Sequence, residues 1–383
     1  MPAAPHIAPT RAEAPRRAPE ALADALPRTE TRLWRPRRVV ITKAAQGSAV
    51  AERAARVGAE MGSEVVLLSG NAVRGLRGET EAETYRRAKS TLAVVHAPPS
   101  ALKLQPIPPS ADFRLDLAVG CPAHCQYCYL AGSLSGPPVT RAYANLDEIF
   151  GVLLGYLGQG TITSRSEARQ HEGTTFEASC YTDPLGIEHL TGGLSAAIEH
   201  VAGMHAGGAD IGLRFTTKYD AVEPLLTLDH GGRTRARFSV NAETVTRPFE
   251  GGTAPLRNRL AAMGRMAAAG YPVGLTIAPI MPVEDWEGAY DALLTGAAEA
   301  LPEGADLTVE LITHRFTPGS KEVLMGWYPA TKLEMDEAVR TVKRNKFGGR
   351  KYVYPKELMA EMKDWFGEAV ARRLPGARVL YWT

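Results

Sequence analysis

From Phe113 onward, short apolar runs alternate with stretches of helical spacing. The runs predict strands at Phe113–Val119, Thr175–Cys180, Gly212–Lys218, Arg235–Asn241, Pro272–Ile280 and Leu307–Thr313. Between them, apolar positions at three- and four-residue intervals predict helices at Leu146–Tyr156, Leu190–Met204, Asp220–Leu226, Ala254–Ala269 and Trp286–Ala300. Strands joined by crossover helices pair in parallel with right-handed connections. Six such units are too few to close an eight-fold barrel. The predicted fold class is therefore α/β, a partial (β/α)6 TIM-type barrel over residues 111–316. An open doubly wound sheet is the alternative. In either case the C-terminal strand ends share one mouth, where reactive groups collect. That mouth gathers the loop after Gly120 together with Cys180, Lys218, Ser239, Asn241 and Ala278.

The flanks read differently. Residues 1–36 are rich in Ala, Pro, Arg and Glu with no apolar face, and are expected to be largely disordered. Residues 37–110 predict a small N-terminal α/β appendage and linker. It has strands at Arg38–Thr42 and Glu64–Ser69 around a helix at Ala49–Met61, and residues 70–110 link it onward through Gly and Pro turns. A polar run, Thr161–Thr174, has the composition of an inserted flexible segment. Residues 317–383 predict a C-terminal extension. It carries a helix near Glu334–Arg344, a Gly348–Gly349 hairpin turn flanked by Phe347 and Tyr352, a helix near Glu357–Leu374 and a last strand at Arg378–Tyr381.

Composition narrows the class. The chain has 383 residues, 45% of them apolar, enough for a substantial core. A net charge of +2 supplies no global field for nucleic acid, so any such contact must be local. Between Ala338 and Lys351 stand Arg340, Lys343, Arg344, Lys346, Arg350 and Lys351 with no acid, a basic patch suited to phosphates. A solvated helix end with core aromatics is the alternative there. No secretory leader or membrane-length apolar run is apparent, and no membrane association is expected.

Three of the four cysteines lie in Cys121-Pro-Ala-His-Cys125-Gln-Tyr-Cys128; the fourth is Cys180. This spacing argues against a disulfide framework and for a reducing cytoplasm. Two thiolates would suit a redox pair and four a closed zinc site; zinc completed by His124 remains an alternative. Three thiolates can hold three irons of a [4Fe–4S] cluster and leave the fourth open. The Cys-x3-Cys-x2-Cys spacing is similar to that of the radical S-adenosylmethionine (SAM) enzymes, in which SAM chelates that iron.

Longer stretches carry a narrower likeness. Ala88-Lys-Ser-Thr-Leu92, Gly120–Leu130, Arg141–Ile149, Phe176-Glu-Ala-Ser-Cys180, Gly186–Leu190, His314-Arg-Phe-Thr317, Thr331–Asp336 and Lys351-Tyr-Val-Tyr354 resemble the spore photoproduct lyase family over about residues 85–383. The resemblance implies a radical SAM core and a DNA-repair lyase that returns 5-thyminyl-5,6-dihydrothymine to two thymines. It implies Cys121, Cys125 and Cys128 as cluster ligands. Thr182, Asp183, Lys218, Ser239, Asn241 and Ala278 would bind SAM. Cys180 would donate a hydrogen atom to the lesion radical, with Tyr127 and Tyr129 as a relay back toward SAM. Taken alone, Cys180 also reads as a small buried apolar residue, and the two tyrosines as packing around the loop. Lys346, Phe347, Arg350, Lys351 and Tyr352 would contact damaged DNA. Lys346-Phe347 departs from the Arg-Tyr of other members, which leaves a sibling enzyme acting on another nucleobase or lesion as the second reading. A flavodoxin- or ferredoxin-type protein is the implied one-electron donor. A monomer is expected, since the motifs need no second subunit.

Overall fold

The computed structural model describes residues 31, 33–133, 136–344 and 349–383. Residues 1–30 and 32 of the predicted tail, and the candidate DNA contacts Lys346 and Phe347, lie outside the described residues.

A curled sheet of eight strands forms the centre. Its order is Arg378–Trp382, Leu307–Thr313, Val273–Ile280, Thr234–Val240, Ile211–Thr217, Thr174–Ala178, Ala111–Leu115 and Gln105–Ile107. The six predicted strands are its interior, all in parallel register. Two more extend it. Gln105–Ile107 adds an antiparallel edge. The final strand, Arg378–Trp382, pairs in parallel with Leu307–Thr313, with the helix Lys356–Arg373 as its crossover. The fold is the partial TIM-type barrel expected, one parallel strand wider. Helices Gly193–Ala206, Leu256–Ala268 and Trp286–Ala300 cover its outer face, and the main apolar core lies between them and the sheet.

The inner face is charged rather than apolar. Arg214 stands beside Glu177, and Thr276 beside Glu310, in the strand register. Arg214 donates to Glu310 at 2.6 Å, and Arg237 donates to Glu310 at 2.8 Å and also to Glu177. Gly274 leaves room for this layer, since a Cβ there would lie 2.6 Å from Arg237 Cγ. Buried charges persist only when paired and hydrogen-bonded. This layer fills the barrel interior with buried, paired charge.

The first predicted strand, Phe113–Val119, is broken in two. Ala111–Leu115 stays in the barrel, while Ala118–Val119 crosses to a second sheet and pairs antiparallel with Arg141 and Ala142. Ser179 makes the break. Its Oγ accepts from Leu117 N at 2.9 Å and Ala118 N at 3.2 Å, and its own backbone is left-handed at φ 56°. Gly120 then turns the chain at φ 78°; a Cβ there would lie 2.2 Å from Val139 O.

The second sheet corrects the reading of residues 70–110 as a linker. Its order is Glu64–Leu67, Arg38–Ile41, Thr91–Val95, Thr140–Tyr143 and Ala118–Val119. Thr91–Val95 is its centre, and the helix Glu81–Lys89, capped by Thr80, precedes it. Two strands come from beyond residue 110, so this sheet is built across the expected boundary. The segment 161–173 is tethered rather than free. Asp112 accepts from Ile162 N at 2.7 Å and Thr163 Oγ1 at 2.7 Å, and Arg169 donates to Pro109 O and Ser110 O.

The C-terminal extension also differs. No α-helix forms at Glu334–Arg344. A short turn at Glu337–Val339 leads into the strand Thr341–Arg344, antiparallel to Arg350–Val353. β-branched Thr341 and Val342 find partners across the hairpin, which overrides the weak helical spacing. A helix the apolar pattern did not reveal, Pro318–Trp327, is closed by a capping box between Thr317 and Ser320.

Candidate active site

The cysteine loop is fastened on every side. His124–Cys125 pairs antiparallel with Glu250–Gly251. Gln126 N donates to Phe249 O at 2.9 Å, and Thr331 Oγ1 donates to Gln126 Oε1 at 2.6 Å. From the second sheet, Lys89 Nζ donates to the carbonyls of Cys121 and Ala123. The Tyr85 hydroxyl is hydrogen-bonded to His124 Nδ1 at 2.8 Å and to the Tyr328 hydroxyl. Cys121, Cys125 and Cys128 are free thiols, each half-buried. Burial pushes the Cys121 thiol up to about 11, against the pull of the Lys89 ammonium.

This donor set fits an iron–sulfur cluster with an open iron better than zinc. Among the described residues, no three His, Cys, Asp or Glu groups converge on a point that could hold one ion. A four-iron cluster asks for no such convergence, because each thiolate reaches its own iron. His124 is held at Nδ1 by Tyr85, and burial, aided by Lys89, lowers its pKa to about 4, so the ring is neutral.

Across the mouth, Lys218 gathers four groups. Its Nζ lies 2.9 Å from Ser239 Oγ, 3.1 Å from the Tyr127 hydroxyl, 3.1 Å from Glu250 Oε1 and 3.5 Å from Ala278 O. Four residues singled out from sequence, Tyr127, Lys218, Ser239 and Ala278, therefore meet. Glu250 was missed, as was Arg259, whose guanidinium lies 2.5 Å from Glu250 Oε2. Tyr127 donates its hydroxyl to Glu250. Burial would raise the Glu250 carboxyl, but Lys218 and Arg259 hold it at about 2. Glu250 sits outside every periodic run, so only its pairing with Cys125 reveals it.

Asp183 accepts from Lys218 N at 2.6 Å, Thr217 Oγ1 at 2.8 Å and Gly186 N at 3.2 Å; burial nevertheless raises it to about 6. The neighbouring Thr182 Oγ1 is buried with no hydrogen-bond partner among the described residues. Asn241 has its side-chain amide engaged within the protein. It is fully buried; its amide donates to Pro279 O at 2.5 Å, and its carbonyl accepts from Tyr290 and Ala242.

Cys180 follows the left-handed Ser179 at the end of its strand, half-buried. Burial raises its thiol well above the ordinary range, and the Asp116 and Glu177 carboxylates add to this against Arg114 and Arg237. Asp116, missed from sequence, is paired with Arg114 at 2.8 Å and keeps Oδ1 buried with no hydrogen-bond partner among the described residues. Arg114 in turn lies over the Tyr181 ring at 4.5 Å.

The two tyrosines of the loop are separated. Tyr127 is buried and held by Glu250, while Tyr129 is 45% exposed, with Arg315 over its ring at 5.3 Å. The basic hairpin sorts likewise. Lys343, Arg344 and Arg350 are exposed, and Lys351 is crowded by Arg315 and Lys343. Tyr352 is corrected from a DNA contact to a core residue. It is buried, and its ring stacks on Phe316 at 5.2 Å.

A partial TIM-type barrel with a three-thiol loop at its mouth defines the radical SAM class of enzymes. The family model described as spore photoproduct lyase matches residues 34–383. A spore photoproduct lyase of Geobacillus sp. is 43% identical over 329 residues, covering 85% of this chain and 92% of the relative. That of Bacillus subtilis is 40% identical over 318 residues, covering 82% and 88%. The solved structure of a spore photoproduct lyase complexed with dinucleoside spore photoproduct superposes with a TM-score of 0.82 at 39% identity, covering 92% of this chain and 100% of that one. A doubly substituted spore photoproduct lyase with bound AdoMet and dinucleoside spore photoproduct gives 0.81. The chain belongs to the spore photoproduct lyase family: it is a radical SAM lyase that works with a [4Fe–4S] cluster and SAM. No helix of the described residues is long and apolar enough to cross a membrane.

Proposed function

We propose that this protein repairs DNA by splitting the spore photoproduct, 5-thyminyl-5,6-dihydrothymine, into two thymines. The observation that carries the reading is Cys180, set at a strand end of the barrel mouth in a family whose solved structures hold that dinucleoside. Cys121, Cys125 and Cys128 would hold the cluster. When bound, the cluster and SAM supply the primary carbon radical that starts the reaction by taking a hydrogen atom from the lesion.

The residues of the chain do the rest. Lys218 and Ser239 would receive a carboxylate, which would replace the long Ala278 O contact at 3.5 Å. The Thr182 hydroxyl, without a hydrogen-bond partner among the described residues, and Asp183 would accept from an ammonium. Asn241 and Glu250 position these groups. Opening of the lesion's methylene bridge leaves a thymine-methyl radical. Cys180 then gives its S–H hydrogen to that carbon, so one S–H bond breaks and one C–H bond forms. A thiolate has no hydrogen to give, and the surroundings of Cys180 keep it protonated. The sulfur radical left behind would regain its hydrogen from the Tyr129 hydroxyl, and Tyr129 from Tyr127. Each S–H or O–H bond would form as the next O–H bond breaks, with the last hydrogen returned from the SAM side.

Arg344, Arg350, Lys343 and Lys351 supply phosphate contacts, and the lesion leaves the base stack to reach the mouth. Four cysteines without a disulfide suit a reducing cytoplasm. A flavodoxin- or ferredoxin-type protein would deliver the electron, and one chain completes the site. The reading of a different lesion rests on Lys346-Phe347, outside the described residues. The test is anaerobic incubation of the reconstituted protein with dithionite, SAM and the lesion dinucleoside. Thymine is the expected product. Loaded protein that cleaves SAM but releases no thymine refutes this substrate.

A further inference from the structure

The stretch Ala88-Lys-Ser-Thr-Leu92 is one of those shared with the family, yet no step of the repair chemistry uses it. Its lysine ends the helix Glu81–Lys89 and is only 6% exposed. The ammonium donates to the backbone carbonyls of Cys121 and Ala123, and Tyr85 lies beneath it at 5.8 Å. Among the described residues, no carboxylate pairs with it. Lysine is seldom buried unless paired, and an uncompensated buried charge is costly. The other buried cations of the described residues have acids: Arg259 shares Glu250 with the half-buried Lys218, and Arg214 and Arg237 share Glu310. Lys89 has instead the loop that carries three thiols.

We infer that Lys89 is a positioning residue of the cluster loop whose buried ammonium raises the cluster's reduction potential. The inference rests on the proposed ligand set of Cys121, Cys125 and Cys128. Thiolates bound to iron are the anion this ammonium otherwise lacks. Each electron the cluster takes from its donor makes that anion more negative. A fixed cation against the loop therefore stabilises the reduced form more than the oxidised form. Net charge, burial and hydrogen bonding are the levers that set such potentials. The second sheet thereby gains a part in the chemistry: its helix carries the charge, and Tyr85 of the same helix holds His124 at 2.8 Å.

The test is a dye-mediated potentiometric titration, read by electron paramagnetic resonance, of reconstituted protein without DNA or lesion. It is therefore independent of whether the proposed substrate is correct. At a fixed poise, Lys89→Met should lower the ratio of reduced to oxidised cluster about tenfold, a shift of about 59 mV for one electron. Lys89→Gln, which keeps a donor for the two carbonyls, should fall as far. Lys89→Arg should stay near the parent. An unchanged potential in Lys89→Met at equal iron and sulfide would overturn the inference. So would a parent-like Lys89→Gln, or a Lys89→Arg that falls as far as Lys89→Met.

Discussion

Glu250 is the single anion shared by Lys218, Arg259 and the Tyr127 hydroxyl, and its side chain is completely buried. Replacing it with glutamine keeps the shape and removes the charge. Two cations are then left buried without a counterion, which costs about 3–5 kcal/mol. The carboxyl group gives a second estimate. Burial alone would raise it, yet Lys218 and Arg259 hold it at about 2. A depression of that size contributes on the order of 3 kcal/mol at neutral pH. The sign follows from the direction. A carboxylate lowered on folding stabilises above its unfolded value and loses that contribution as pH falls toward the folded one. The window here runs from 4.5 down to about 2. Glu250→Gln should therefore lose about 3 kcal/mol at pH 7, and the gap to the parent should narrow by about 2 kcal/mol at pH 3. Denaturant midpoints of the cluster-free protein at the two pH values measure both. Binding of SAM to loaded protein should weaken in parallel, because Lys218 loses its anchor. A loss under about 1 kcal/mol at pH 7, or a gap that does not narrow in acid, would refute the reasoning.

Three further outcomes are expected. Ser179→Ala leaves the amides of Leu117 and Ala118 without their acceptor and should cost about 2 kcal/mol in denaturant unfolding; a neutral result would mean that water replaces the hydroxyl. Asp116 is raised to about 6 by burial despite Arg114, so its ionisation weakens the fold as pH rises through that value. The stability of Asp116→Asn relative to the parent should then improve by about 1 kcal/mol from pH 5 to pH 8, and a difference flat in pH would contradict this. Cys180→Ala should keep its iron and its SAM cleavage while diverting the lesion radical into adducts visible by mass spectrometry; equal yields of clean thymine from variant and parent would remove Cys180 from the reaction.

The barrel strands were legible because each is an apolar run long enough to show in one dimension. The cysteine triplet, Cys180 and Lys218 were legible because they stand at the ends of such runs. What stayed hidden depends on partners remote in sequence. Thr91–Val95 reads as a fragment between turns until Arg38–Ile41 and Thr140–Tyr143 flank it. The break between Leu115 and Ala118 is imposed by Ser179, sixty-odd positions away. Thr341–Arg344 has helical spacing but acquires a hairpin partner. Asn241 and Tyr352 have the residue types of ligand contacts, and the fold turns both inward. Lys89, Asp116 and Glu250 are isolated charges among other charges, and only burial sets them apart.

The central claim is that three loop thiols leave one iron open to SAM. Its most direct measurement is 5′-deoxyadenosine released on dithionite reduction of anaerobically reconstituted protein with SAM. The parent should carry iron and sulfide and release the nucleoside, and Cys125→Ala should release none. Parent protein with its cluster in place that never yields 5′-deoxyadenosine would contradict the account.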